Sequence, residues 1–261
     1  MYENILTEVS GGVGIITLNR PERHNAFDEA LIGELSSAFA AMDQDPAVRV
    51  LVLSSTGKSF CAGADLNWMK RLGTYTPQES LEDARRLAEM LRRLAQMGKP
   101  TVARVQGPAY GGGVGLVAAC DVAIATFEAQ FTLSEVKLGI IPAAISPHVI
   151  AAIGERYSRR YMLTAERFAA AEAYRIGLVH EIVADDAGLD EAVGEIVDSL
   201  LKNGPMALAA CKQLIRAVAN KPIDAAVIED TASRISAIRA TPEAQEGMAA
   251  FLGKRKPNWV L

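Results

Sequence analysis

The stretch "AYGGGVGLVAACD", residues 109–121, sets three consecutive glycines, and a fourth at Gly115, at the head of an apolar run. Glycine loses more backbone entropy on folding than any other residue, so four of them here need a physical reason. The run after them reads as a helix. The first N–H groups of a helix lack intrahelical partners and carry partial positive charge. Without a Cβ in the way, a ligand atom can approach those N–H groups directly. Such a place can hold an anion, or an oxygen that becomes negative during a reaction. Taken alone, the triple glycine is equally open to tight packing or a plain turn.

A second stretch of the same kind lies upstream. "SFCAGADL", residues 59–66, joins small residues to an apparent helix, "LNWMKRL". It follows "VRVLVLSST" (48–56), an almost continuous apolar run that reads as a strand covered on both faces. Two small-residue turns, each after a strand, can bring two N–H donors to one oxygen, which is the geometry of an oxyanion hole. Around them, "VGIITLNRP" (13–21), "KPTVARVQG" (99–107), "VAIAT" (122–126) and "HEIV" (180–183) read as further strands. Residues 28–45 and 80–97 carry apolar positions at helical spacing. Strands alternating with helices predict an α/β fold with a largely parallel sheet. From about residue 186 only helices follow, separated by Asn-Gly-Pro and Asn-Lys-Pro breaks.

Bulk properties bound the function. The chain has 261 residues, 50% hydrophobic and 22% charged, with net charge −4, so no basic footprint points to nucleic acid. No apolar run reaches the roughly 18 residues of a membrane span, and the opening residues lack the pattern of a secretory signal. The three cysteines, Cys61, Cys120 and Cys211, are far apart and read as reduced thiols acting as small core residues. A cytoplasmic protein is expected. His24, His148 and His180 are too dispersed to predict a metal site. "GKS" at 57–59 lacks the first glycine of a phosphate loop, since Val52 stands there, and Leu116 breaks a dinucleotide fingerprint at 111–116.

"FCAGADL" together with "AYGGGVGLVAACD" resembles the signature of the crotonase family, the enoyl-CoA hydratases and isomerases. The likeness spans nearly the whole chain, through "ITLNRPERHNAF", "FTLSEVKLGIIP", "LTAERFAAAEAYRIGLV" and "FLGKRKPNW". It implies a spiral of ββα units over residues 1–195 and a C-terminal helical trimerisation region over 196–261. It also implies an acyl-CoA thioester as substrate, with no further cofactor and no metal. By this resemblance the N–H groups of Ala64 and Gly112, with Gly111 beside it, would hold the thioester oxygen. Ala62, Asp65 and Leu66 would line the CoA adenine pocket, and Arg23, Asn25, Ala26 and Lys58 would also face CoA. Phe251 and Lys254 would reach a CoA bound to a neighbouring subunit. Relatives are commonly trimers or dimers of trimers.

Hydratases of the family typically use two glutamates. Glu135, in "LSEVKLG", matches one of them; the other matches Gly115, where no acid exists. Glu135 also has a local reading, because Thr132-x-x-Glu135 has the spacing of a capping box. As a proton carrier it should sit in a desolvated pocket with a raised pKa. "PAAISPH" (142–148) stands where many relatives have a glycine-rich turn, so Pro142 and its neighbours should reshape the acyl pocket. The chain most resembles bacterial methylglutaconyl-CoA hydratase-type members, which act in leucine breakdown. A lone carboxylate also suits a double-bond isomerase. A CoA-ester binder with vestigial catalysis is the third reading. Asp121 looks like the anchor of a turn.

Overall fold

The computed structural model describes residues 2–260. The chain runs β1 (Ile5–Ser10), β2 (Val13–Leu18), a 3-10 turn at Pro21–Arg23, α1 (Glu29–Gln44), β3 (Val50–Ser55), α2 (Leu66–Leu72) and α3 (Pro77–Gln96). Next come β4 (Thr101–Val105), β5 (Ala109–Tyr110), α4 (Gly112–Ala119), β6 (Val122–Thr126) and β7 (Gln130–Thr132). A 3-10 turn at Glu135–Leu138 leads to α5 (Ser146–Thr164), β8 (Phe168–Ala169), α6 (Ala170–Arg175) and β9 (Glu181–Val183). Four helices close the chain: α7 (Asp186–Leu201), α8 (Pro205–Val218), α9 (Ala225–Arg239) and α10 (Pro242–Leu252).

The main sheet has six strands in the order β1-β2-β3-β4-β6-β9. Only β1 and β2 pair antiparallel; β2 onward is parallel throughout. Every residue of β3 is buried. Leu51 and Leu53 point into the larger core with Leu31, Leu35 and Phe39 of α1, and Met90, Leu91 and Leu94 of α3. Val50 and Val52 point the other way, against Leu189, Val193 and Val197 of α7. Helices on both faces explain why this strand is apolar without alternation. The larger core also takes in Val114, Leu116 and Val117 of α4.

The helix starts are chemically marked. Asp28 accepts from the Leu31 N–H at 2.9 Å to cap α1. Thr76 and Glu79 form a reciprocal capping box at α3. Several elements escape the sequence pattern. β5, β7 and β8 are two or three residues long and make their own small sheet, β5-β7-β8. Edge strand β1 exposes five of its six residues, so it lacks alternation. Helix α5 opens on Ser-Pro and is broken at Gly154, which has φ 71°. The division expected at residue 195 falls inside α7, which packs on the sheet.

Asp121 anchors a turn, as expected. Its Oδ2 accepts from the Thr101 N–H at 2.8 Å, the Thr101 hydroxyl at 3.0 Å and Lys212 Nζ at 2.5 Å. The cluster ties β4 and the end of α4 to α8. Asp121→Ala would leave the Lys212 ammonium nearly buried and unpaired. A stability loss of about 2–4 kcal/mol is expected in urea unfolding, less than a fully buried pair because Asp121 is one-third exposed. One cysteine departs from expectation: Cys61 is buried and Cys120 partly so, but Cys211 is exposed on α8. Burial pushes the Cys61 and Cys120 thiols up to about 12, so neither is a nucleophile at neutral pH.

Candidate active site

The two small-residue turns meet. Tyr110 N–H donates to the Cys61 carbonyl at 2.9 Å, and Cys61 N–H donates to the Pro108 carbonyl at 3.2 Å. This short parallel ladder lays residues 61–65 against the entry to α4. Gly63, at φ 87°, passes so close that a Cβ on it would lie 3.0 Å from the Tyr110 oxygen. Phe27 then pairs with Ala64 on the other edge. Among the described residues, neither the Ala64 N–H nor the Gly112 N–H donates to a protein acceptor. Both donors are therefore free for a ligand, and the turns that carry them are in contact.

Each glycine of the opening stretch has its own cause. Gly111 has φ 48° and ψ −116°, a conformation closed to side-chain-bearing residues. A Cβ there would also crowd Glu135 Oε1 at 3.0 Å. A Cβ on Gly112 would lie 2.6 Å from Phe27 Cε2, and one on Gly113 would lie 2.9 Å from Cys61 Cβ. Gly115 is bare because Ile145 sits on it: a Cβ would be 2.9 Å from Ile145 Cβ and would overlap its Cγ2. The position at which the resemblance places a second acid is thus filled by a buried isoleucine from the loop before α5. The sequence marks "PAAISPH" as a departure from the glycine-rich turn of many relatives, but no local pattern links Ile145 to Gly115.

Glu135 opens the 3-10 turn after β7. Gly111 N–H donates to the Thr132 carbonyl at 2.9 Å, which holds the glycine turn beside this segment. The capping-box reading is not realised. The Thr132 hydroxyl donates toward the Ala165 carbonyl at 3.4 Å, and among the described residues no side chain caps the turn. Glu135 Oε2 is buried, and among the described residues it has no hydrogen-bond partner. Burial pushes its carboxyl above the ordinary 4.5, against a smaller lowering by its own N–H. This is the environment expected of a proton carrier. Activity that depends on its ionised form should therefore show an acid limb in kcat/KM above pH 4.5; a limb at or below 4.5 would contradict that assignment.

The other expected positions divide into two kinds. Asn25 is fully buried, with Oδ1 accepting from the Arg20 N–H at 2.8 Å and Nδ2 donating to Thr56 and Ser59 carbonyls at 2.8 and 2.9 Å. Its side chain holds loops together and cannot face a ligand. Asp65 is buried too. It caps α2 through the Asn67 and Trp68 N–H groups and pairs with Arg23 at 3.3 Å. Burial pushes its carboxyl up, but the Trp68 and Asn67 N–H groups and the Arg23 guanidinium outweigh this and hold it below its ordinary value. Ala26 and Pro142 are buried, whereas Arg23, Lys58 and Leu66 reach solvent and Ala62 lies between, tied to the His24 carbonyl at 2.9 Å. Phe251 and Lys254 are exposed at the end of α10, and among the described residues no hydrogen bond joins them to the rest of this set. Sequence reasoning missed Arg20, a buried guanidinium paired with Asp28 at 2.7 Å; its neighbours in "NRPERHNAF" were the only signal. Among the described residues no group of three or more His, Cys, Asp or Glu could hold a metal ion.

Free amides from two abutting turns, with a buried carboxylate beside one of them, equip an α/β protein for chemistry at a carbonyl that turns into an oxyanion. Residues 8–260 match the model of the enoyl-CoA hydratase/isomerase family. The chain is 34% identical to crotonyl-CoA hydratase of Syntrophomonas wolfei, covering 99% of this chain and 98% of that protein. It is 32% identical to 2,3-dehydroadipyl-CoA hydratase of Escherichia coli, covering 94% of each. The crystal structure of an enoyl-CoA hydratase from Shewanella pealeana superposes with TM-score 0.96 at 42% identity, covering 98% of this chain and 96% of that one. The chain belongs to the crotonase family and is an enoyl-CoA hydratase of that family. Its substrate is accordingly an acyl-CoA thioester. No helix among the described residues is long and apolar enough to cross a membrane.

Proposed function

We propose that this enzyme adds water to the 2,3 double bond of a branched, carboxylated enoyl-CoA such as 3-methylglutaconyl-CoA, with Glu135 as its only acid–base carboxylate. The Ala64 and Gly112 N–H groups hold the thioester oxygen. Glu135 takes a proton from water as the oxygen bonds to Cβ. The π electrons move onto the thioester oxygen as an enolate. The same carboxyl then returns a proton to Cα, so atoms and charge balance. The observation that carries this reading is the buried, unpartnered Glu135 Oε2 beside the glycine turn. The Escherichia coli relative is named for a dicarboxylic acyl group, which supports a carboxylated substrate.

In this reading Arg23 and Lys58 face the CoA phosphates, and the backbone of Ala62 to Leu66 lines the adenine pocket. Asn25, Ala26 and Asp65 shape that pocket from behind. Pro142 and the loop after it wall the acyl group. Residues 1–195 form the catalytic part and 196–261 the association region of a homotrimer or dimer of trimers in the cytoplasm. Ile223, in the loop before α9, at 89% and Phe251 of α10 at 83% exposure leave the C-terminal region with apolar surface to cover. A subunit that sediments as a monomer at micromolar concentration would refute the assembly. Fatty-acid or leucine breakdown is the metabolic setting.

The packing of Ile145 on Gly115, which leaves no second acid there, also favours a further activity of the same site, double-bond isomerisation with one base. Product analysis on a panel of 2-enoyl-, 3-enoyl- and 3-methylglutaconyl-CoA separates them. Water addition to the branched substrate is expected. A double-bond shift in 3-enoyl-CoA shows the second activity, and failure to add water to 3-methylglutaconyl-CoA while an unbranched 2-enoyl-CoA is hydrated refutes the branched substrate.

A further inference from the structure

We propose that Phe27 is the positioning residue that sets the spacing of the two amide donors; this rests on the thioester oxygen being held by Ala64 and Gly112. Phe27 touches both turns, by different means. Its N–H donates to the Gly63 carbonyl at 2.7 Å, and its carbonyl accepts from the Asp65 N–H at 2.8 Å. These bonds straddle Ala64. In a parallel ladder the straddled residue turns its own N–H to the opposite edge, so Phe27 aims the Ala64 donor away from itself. The ring does the second task. It is fully buried, and its Cε2 and Cδ2 lie against the bare Cα of Gly112, at 2.6 and 2.8 Å from where a Cβ would stand.

Phe27 is itself held from behind. Arg20 Nη1 donates to the Ala26 carbonyl at 2.9 Å. Arg20 Nη2 pairs with Asp28 at 2.7 Å and lies 3.7 Å from Asp65. Asp28 caps α1. One residue thus fixes one donor through its main chain and the other through its ring, on a rigid base. A smaller side chain would keep the main-chain bonds but leave Gly112 unsupported. Hydrogen-bond strength falls steeply with misalignment, so the loss should appear in the transition state rather than in CoA affinity.

The test uses the full-length enzyme with crotonyl-CoA for turnover and butanoyl-CoA, isotopically labelled at its thioester carbonyl, for infrared spectra. Wild type should lower the carbonyl stretching frequency of bound butanoyl-CoA relative to solution. Phe27→Leu should lose most of that shift, lower kcat by ~10–100-fold, and change the Kd of butanoyl-CoA less than ~3-fold. Phe27→Met, closer in volume, serves if the leucine variant does not fold, and should fall between the two. Phe39→Leu, at a buried phenylalanine that lies on α1 and away from both turns in sequence, should lower Tm yet keep the wild-type frequency. Gly112→Ala should lower kcat by pressing a methyl onto the ring, and Phe27→Leu added to it should recover activity by at least ~3-fold. A full wild-type shift in Phe27→Leu, or no recovery in the double variant, overturns the role of Phe27. Absence of any shift on wild type overturns the holding of the thioester oxygen itself.

Discussion

Glu135→Gln is expected to lower kcat by about 10²–10⁴-fold with little change in KM, because a positioned acid–base group typically contributes that much. Glutamine keeps the shape and hydrogen-bonding reach of the side chain but carries no transferable proton. The same substitution should raise stability at neutral pH. Burial raises the Glu135 carboxyl above its ordinary 4.5, so the folded chain binds its proton more tightly than the unfolded chain does. With more protons bound in the folded state, stability falls as pH climbs from 4.5 through the folded pKa. Glutamine escapes that loss, so the variant should melt higher than wild type at pH ~7 and converge with it in acid. Lower activity with a higher melting temperature is the signature of a strained functional group rather than a structural one. Wild-type turnover in the variant would remove Glu135 from the mechanism.

Gly115→Glu should not install a second acid; it should damage the fold. The new Cβ would overlap Ile145 Cγ2 and stand 3.6 Å from Leu91 Cδ1. Overpacking a filled core typically destabilises by about 1–3 kcal/mol, and an unpaired carboxylate adds to that. A fall in Tm of roughly 5–10 °C is expected, with activity reduced in step. Gly115→Glu combined with Ile145→Gly removes the overlap and should recover part of the stability. The double variant also asks whether a second carboxylate speeds water addition to unbranched 2-enoyl-CoA. A single Gly115→Glu variant as stable as wild type would show that Ile145 does not occupy that space.

The two cases differ in how far the chain's local chemistry foretold them. Glu135 stands out in the sequence through motif resemblance, yet its neighbourhood admitted a capping box equally well. The choice came from where the Thr132 hydroxyl points, toward Ala165, more than thirty residues away. Gly115 is visible as a missing acid, but its partner Ile145 is thirty positions on, and no local pattern joins them. The short strands β5, β7 and β8 escaped for a related reason. Two or three residues carry no periodicity, and only their pairing across the chain makes them strands.

Strand β3, helices α1 and α3, and the two glycine-bearing turns follow from short-range rules: apolar runs, capping side chains and the absence of a Cβ. Those rules act within a few residues and can be read in order along the chain. Which amide stays free, what fills the place of an absent acid, and that Asn25 turns inward depend on atoms meeting from distant segments. Such contacts are set by close packing and hydrogen-bond satisfaction in three dimensions, which no single window of residues contains.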